Sequence, residues 1–139
     1  MKILYTAHAT TVGGREGRVE TDDKKINVAV SPPGGQGPGT NPEQLFASGY
    51  GVCFGGAVAA VSKSQGVSGE VTVKSDVTLN KDDQGGFFIG ATLDINIAEF
   101  DDAEKLEEII LSAHHMCPYS KATRGNIEVK LKANGRAIN

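Results

Sequence analysis

From residue 71 onward apolar and polar positions alternate. Val71, Val73, Val77 and Leu79 are separated by Thr72, Lys74, Asp76 and Thr78, which predicts a strand with one dry face. Ile89, Ala91, Leu93, Ile95 and Ile97 repeat the pattern against Gly90, Thr92, Asp94 and Asn96. Lys81 to Gly85 joins the two as a hairpin loop. Ile127, Val129 and Leu131 predict a last strand, and Ile26, Val28 and Val30 a short early one. Met1 to Ala9 and Arg18 to Thr21 are further strand candidates. Clean alternation favours antiparallel sheets with one face in water.

Two segments change the period. Asn41-Pro42-Glu43-Gln44 supplies an N-cap, a proline at the first helical position and Gln at the third. The helix it opens is expected to reach about Gln65. Its middle is apolar or small on every side, which predicts burial all round. A second helix is expected from Asp101, with Glu104 completing a capping box. Leu106, Ile109, Ile110, Ala113 and Cys117 form its apolar stripe, and Pro118 breaks it and opens a short new helix. The fold class is α+β: antiparallel sheets packed on a central helical layer.

The chain has 139 residues, which fits a single domain over 1–139. A net charge of −3 argues against a nucleic-acid or anionic-membrane partner. The longest mostly apolar run, 50–61, is too short to span a bilayer, and no signal-peptide pattern opens the chain. The expected location is the cytoplasm. Two cysteines exclude a disulfide-dense scaffold and are either inert core thiols or a redox pair. Glycine is abundant, 18 residues, and eleven of these lie between Gly13 and Gly56.

Cys53 and Cys117 both fall on the helical layer, and a disulfide between them is geometrically plausible. Cys117 precedes a helix-opening proline, where a helix dipole favours the thiolate. That argument makes Cys117 the more acidic thiol, and it does not decide which cysteine attacks first. Arg15 sits in a Gly-rich turn, and Glu43 in a helix first turn, where a carboxylate is favoured. The segment 34–40 lacks the Gly-Lys-Ser/Thr ending of a phosphate-binding loop. His114, His115 and Cys117 do not match a zinc spacing.

Four ordered stretches carry a resemblance. They are Gly13-Gly14-Arg15-Glu16-Gly17-Arg18, Gly37-Pro38-Gly39-Thr40-Asn41-Pro42-Glu43-Gln44-Leu45-Phe46-Ala47, Gly49-Tyr50-Gly51-Val52-Cys53-Phe54, and Cys117-Pro118-Tyr119-Ser120 with Ala122-Thr123-Arg124-Gly125-Asn126. Together they resemble the organic hydroperoxide resistance branch of the OsmC-like superfamily. The resemblance implies an intertwined homodimer and a thiol peroxidase that reduces organic hydroperoxides to alcohols. It makes Cys53 peroxidatic, Cys117 resolving and the two a redox-active disulfide. It gives Arg15 the stabilisation of thiolate and peroxide, and Glu43 the orientation of Arg15. A full guanidinium charge then outweighs the helix-end argument for Cys117.

The resemblance further implies no metal or organic cofactor, and dihydrolipoyl groups on a lipoylated protein as the external dithiol. Phe46, Phe54 and Tyr119 are expected to line an apolar substrate pocket. Departures from the family pattern are Lys121, Gly51-Val52 before Cys53, and Met116 before Cys117. The competing readings are a redox-sensing or ligand-binding module without turnover, and a structural protein with inert thiols.

Overall fold

The computed structural model describes residues 1–139, and the chain divides into two compact units, 1–45 and 46–139. The first unit holds a three-stranded antiparallel sheet: β1 (Ala9–Val12), β2 (Arg18–Thr21) and β3 (Asn27–Ala29), paired in that order. The strand proposed for Met1 to Ala9 is not formed, and β1 starts only at Ala9. No residue of 1–45 is buried. Ile3, Leu4, Tyr5 and Val12 are between 70% and 86% exposed. So short a unit with no buried side chain lacks a core of its own.

Helix α1 (Pro42–Ser64) begins where the sequence places it. The Gln44 N–H donates to the Asn41 side chain at 2.8 Å, satisfying one of the free amides of the first turn. Six of its residues are buried, Tyr50, Phe54, Ala57, Val58, Val61 and Ser62. The expected all-round burial is not met, because Val52 is 79% exposed and Ala59 and Ala60 are open. A second expectation also changes: α1 is long and apolar enough to cross a membrane by length and composition. The short 50–61 run underrated it, because Leu45, Phe46, Ala47 and the small Ser and Gly residues extend the apolar stretch toward the N-terminus. Its buried stripe is a core contribution, as in an interior helix of a folded domain.

The second unit contains the core. β4 (Val71–Lys81) and β5 (Phe87–Ile97) pair antiparallel along eleven residues each. Their loop is fastened by the Asp82 carboxylate, which accepts from the N–H groups of Gln84 and Gly86 at 2.9 and 2.8 Å. Alternate β5 residues Ala91, Leu93, Ile95 and Ile97 are buried. They meet Leu106, Ile109, Ile110 and Ala113 of α2 (Ala103–Met116) in one cluster with α1. The apolar stripe read from the sequence is thus the buried face of α2. Its cap is Asp102 rather than Asp101: the Asp102 carboxylate accepts from the Lys105 N–H at 3.1 Å. Glu104 therefore sits one position too early to close a capping box.

Helix α3 (Pro118–Thr123) follows at once, with Cys117 as the joint between the two helices. β6 (Val129–Ala133) then lies parallel to β5, not antiparallel as the alternation suggested. Alternation reports a wet and a dry face, whereas direction is set by the connection, and a helical crossover returns the chain parallel. β7 (Arg136–Ala137) completes the order β4-β5-β6-β7.

Candidate active site

Two side-chain pairs contain the four residues singled out for chemistry. In the first unit, Arg15 lies on a 3₁₀ turn (Gly14–Glu16) between β1 and β2. Gly13 enters this turn with φ 81°, and a β-carbon at Gly17 would collide with the Val12 carbonyl, so the turn tolerates only glycine there. The Arg15 guanidinium donates from both Nη atoms to the two Glu43 carboxylate oxygens, at 3.1 and 3.3 Å. This fork-to-fork pair fixes orientation as well as charge. The Arg15 hydrogen bond holds the Glu43 carboxyl below its ordinary pKa, against the opposing effect of burial.

In the second unit, Cys53 of α1 faces Cys117 at the α2–α3 joint. Both thiols are free, and their sulfurs are 3.5 Å apart. Cys117 is wholly buried, whereas Cys53 is partly open to solvent. Burial pushes the Cys53 thiol up from its ordinary value near 9.0. A backbone N–H of Tyr119 pulls it back down, and the neighbouring Cys117 thiol adds to the rise. The amide in the first turn of α3 thus acts on Cys53.

The aromatic expectations divide. Phe46 and Tyr119 pack ring to ring at 6.0 Å between centroids, and Tyr119 is 38% exposed. Phe54 is a core side chain with no exposed surface, held between the rings of Tyr50 and His114. A helical period of 3.6 turns it inward beside Tyr50, into the core. Gly49 of α1 allows a close approach: a β-carbon there would stand 2.7 Å from the Tyr119 hydroxyl oxygen. At Gly56 nothing lies within 4 Å.

Sequence reasoning missed a polar cluster behind the cysteines. The Tyr50 hydroxyl meets Ser120 Oγ at 2.9 Å and Thr123 Oγ1 at 3.2 Å, and His114 Nδ1 meets Ser120 Oγ at 2.9 Å. His114, considered above only as a metal ligand, spends that nitrogen on a serine. The missed signal was polar residues at core spacing: Ser120 and Thr123 lie three apart on one face of α3.

The OsmC-like protein family model matches residues 34–132. The organic hydroperoxide resistance protein OhrB of Bacillus subtilis is 46% identical over 133 residues, covering 93% of this chain and 97% of that protein. An organic hydroperoxide resistance protein of Xanthomonas axonopodis pv. citri is 48% identical over 136 residues, covering 94% of each. The crystal structure of OhrB superposes with a TM-score of 0.89 at 45% identity, covering 94% of this chain and 99% of that one. An organic hydroperoxide resistance protein of Elizabethkingia anophelis superposes at 0.87 with 42% identity, covering 98% and 100%. The chain belongs to the OsmC-like family, in its organic hydroperoxide resistance branch.

Proposed function

We propose that this protein protects against organic hydroperoxides by reducing them to alcohols at Cys53. The observation that carries the reading is the asymmetry of the thiol pair: two free sulfurs 3.5 Å apart, one reachable and one buried. A peroxide from solvent meets Cys53 first, and Cys117 waits behind it. The helix-end argument left that order open; the family resemblance assigns attack to Cys53, and the difference in burial supports that assignment.

In the first step the Cys53 thiolate attacks one peroxide oxygen. The O–O bond breaks, sulfur gains the S–O bond of a sulfenic acid, and the alkoxide leaves to take up a proton as alcohol. Arg15 favours the thiolate and steadies charge on the departing oxygen, while Glu43 holds its fork in place. Cys117 then displaces hydroxide from the sulfenic acid, forming the Cys53–Cys117 disulfide and water. An external dithiol, of the dihydrolipoyl class, restores both thiols by exchange. No step calls for a metal or organic cofactor. Phe46 and Tyr119 offer an apolar surface suited to alkyl or fatty-acid hydroperoxides.

The working unit in this reading is a homodimer in the cytoplasm, each chain forming one OsmC-like domain over 1–139. Support comes from the exposed apolar residues of the coreless first unit and from Val52 on α1. Uncovered apolar surface of this kind marks an interaction face.

The alternative is a non-catalytic redox sensor that uses the same two free thiols, 3.5 Å apart, without turnover. Steady-state consumption of cumene hydroperoxide with dihydrolipoamide as donor separates the two. Turnover supports the enzyme. Stoichiometric oxidation without turnover supports the sensor.

A further inference from the structure

The polar cluster behind the cysteines admits a proton count. It has four contacts: His114 Nδ1 to Ser120 Oγ at 2.9 Å, Ser120 Oγ to Tyr50 Oη at 2.9 Å, Tyr50 Oη to Thr123 Oγ1 at 3.2 Å, and Thr123 Oγ1 to the Ser120 carbonyl at 3.2 Å. The carbonyl carries no proton, so Thr123 donates the last. Thr123 is then spent, and Tyr50 must donate to it. Tyr50 is spent in turn, and Ser120 must donate to Tyr50. Ser120 has one proton, so His114 must donate from Nδ1. Each hydroxyl has a single hydrogen, so this is the one order that makes all four bonds. Tyr50, Ser120 and Thr123 are buried, where an unmade bond costs most.

This chain ties together the elements that present the sulfurs. Tyr50 lies three residues before Cys53 on α1, and His114 and Ser120 lie three residues either side of Cys117. Cys117 itself has φ −64° and ψ 123°, outside the helical region, so the chain bends there, although its N–H donates to the Ala113 carbonyl at 2.8 Å and its carbonyl accepts from the Lys121 N–H at 3.0 Å. Closing the disulfide requires the 3.5 Å gap to shrink to about 2.05 Å. A joint that swings loses that approach.

We propose that His114 in its Nδ1–H form, Ser120 and Tyr50 are positioning residues that hold Cys117 against Cys53 for disulfide closure. The proposal rests on the thiol-peroxidase reading. In the step concerned the Cys53 S–O bond breaks and the S–S bond forms. The hydroxide leaves with the Cys117 proton as water.

The test is a single turnover with one equivalent of cumene hydroperoxide, following peroxide loss and dimedone trapping at Cys53 separately. Ser120→Ala and His114→Ala should consume the first equivalent at the wild-type rate. Their closure should slow about 10- to 100-fold, as for misplaced reacting groups, and leave a trappable sulfenic acid. His114→Asn keeps an N–H donor near the Nδ1 position and should restore closure, which a merely space-filling role does not predict. Nitrogen NMR of the wild-type imidazole should show Nδ1 protonated and Nε2 free. Wild-type closure in Ser120→Ala, or an Nε2–H imidazole, overturns the proposal. No peroxide loss in wild-type protein overturns the peroxidase reading, and the positioning role with it.

Discussion

Gly49 and Tyr119 are in register across the α1–α3 contact: the phenol fills the space that a β-carbon at Gly49 would need. Gly49→Ala gains about 1 kcal/mol of helix propensity. It forces the Tyr119 ring to shift, and overpacking typically costs about 1–3 kcal/mol. The expected net change is neutral to about 2 kcal/mol destabilising in urea titration. Because Tyr119 also donates its backbone N–H to Cys53, alkylation of Cys53 should shift to higher pH in this variant.

The Arg15–Glu43 pair is bidentate, so Arg15→Lys should behave as a loss and not as a conservative change. Lysine keeps the charge but offers no fork. Turnover is expected to fall about 10- to 1000-fold in Arg15→Lys, the scale of losing an oriented electrostatic contact. The pH dependence has a definite sign. Arg15 lowers the Glu43 pKa below its ordinary 4.5, so the pair is intact above that value and is lost as pH falls through the lowered one. By carbon NMR, the Glu43 carboxyl should titrate below 4.5 in wild type and move up toward it in Arg15→Ala. A Glu43 titration that stays put in Arg15→Ala contradicts the pairing.

His114 is held below its ordinary 6.5 by burial, then by the charge of Arg124 and by His115. Its neutral form therefore supports the fold. That contribution is present above 6.5 and is lost as pH falls from 6.5 through the lowered value. Melting temperature should drop across that window, measured from about pH 8 down to pH 5. His114→Asn, which cannot titrate, should flatten the curve.

Val52 is 79% exposed on a helix whose other face is core. Val52→Glu should leave the fold of one chain intact and separate a dimer. Light scattering should then report 14.5 kDa in the variant and twice that in wild type. An unchanged mass in Val52→Glu removes α1 from the interface.

Much of this arrangement is legible in the sequence. Asn41-Pro42 marked the start of α1, and the stripe Leu106 to Cys117 marked the buried face of α2. What escaped was whatever depends on a distant partner. The parallel pairing of β6 with β5 comes from the crossover, not from local alternation. Phe54 is apolar whether it lines a pocket or fills a core, and only packing distinguishes the two. Ser120 and Tyr50 are 70 positions apart, so their bond has no local signature. One local signal went unused: Asn134-Gly135, with φ 52° and 84°, is the two-residue turn of the β6–β7 hairpin.

Cys53 and Cys117, with free sulfurs 3.5 Å apart, are proposed to act as one redox pair. Intact mass with thiol titration after one equivalent of organic hydroperoxide tests this directly. Wild type should lose both free thiols and two hydrogens. Cys117→Ser should give a sulfenic acid trapped at residue 53, and Cys53→Ser no reaction. Two thiols still titratable in folded, peroxide-treated wild type, at unchanged mass, would contradict the redox pair.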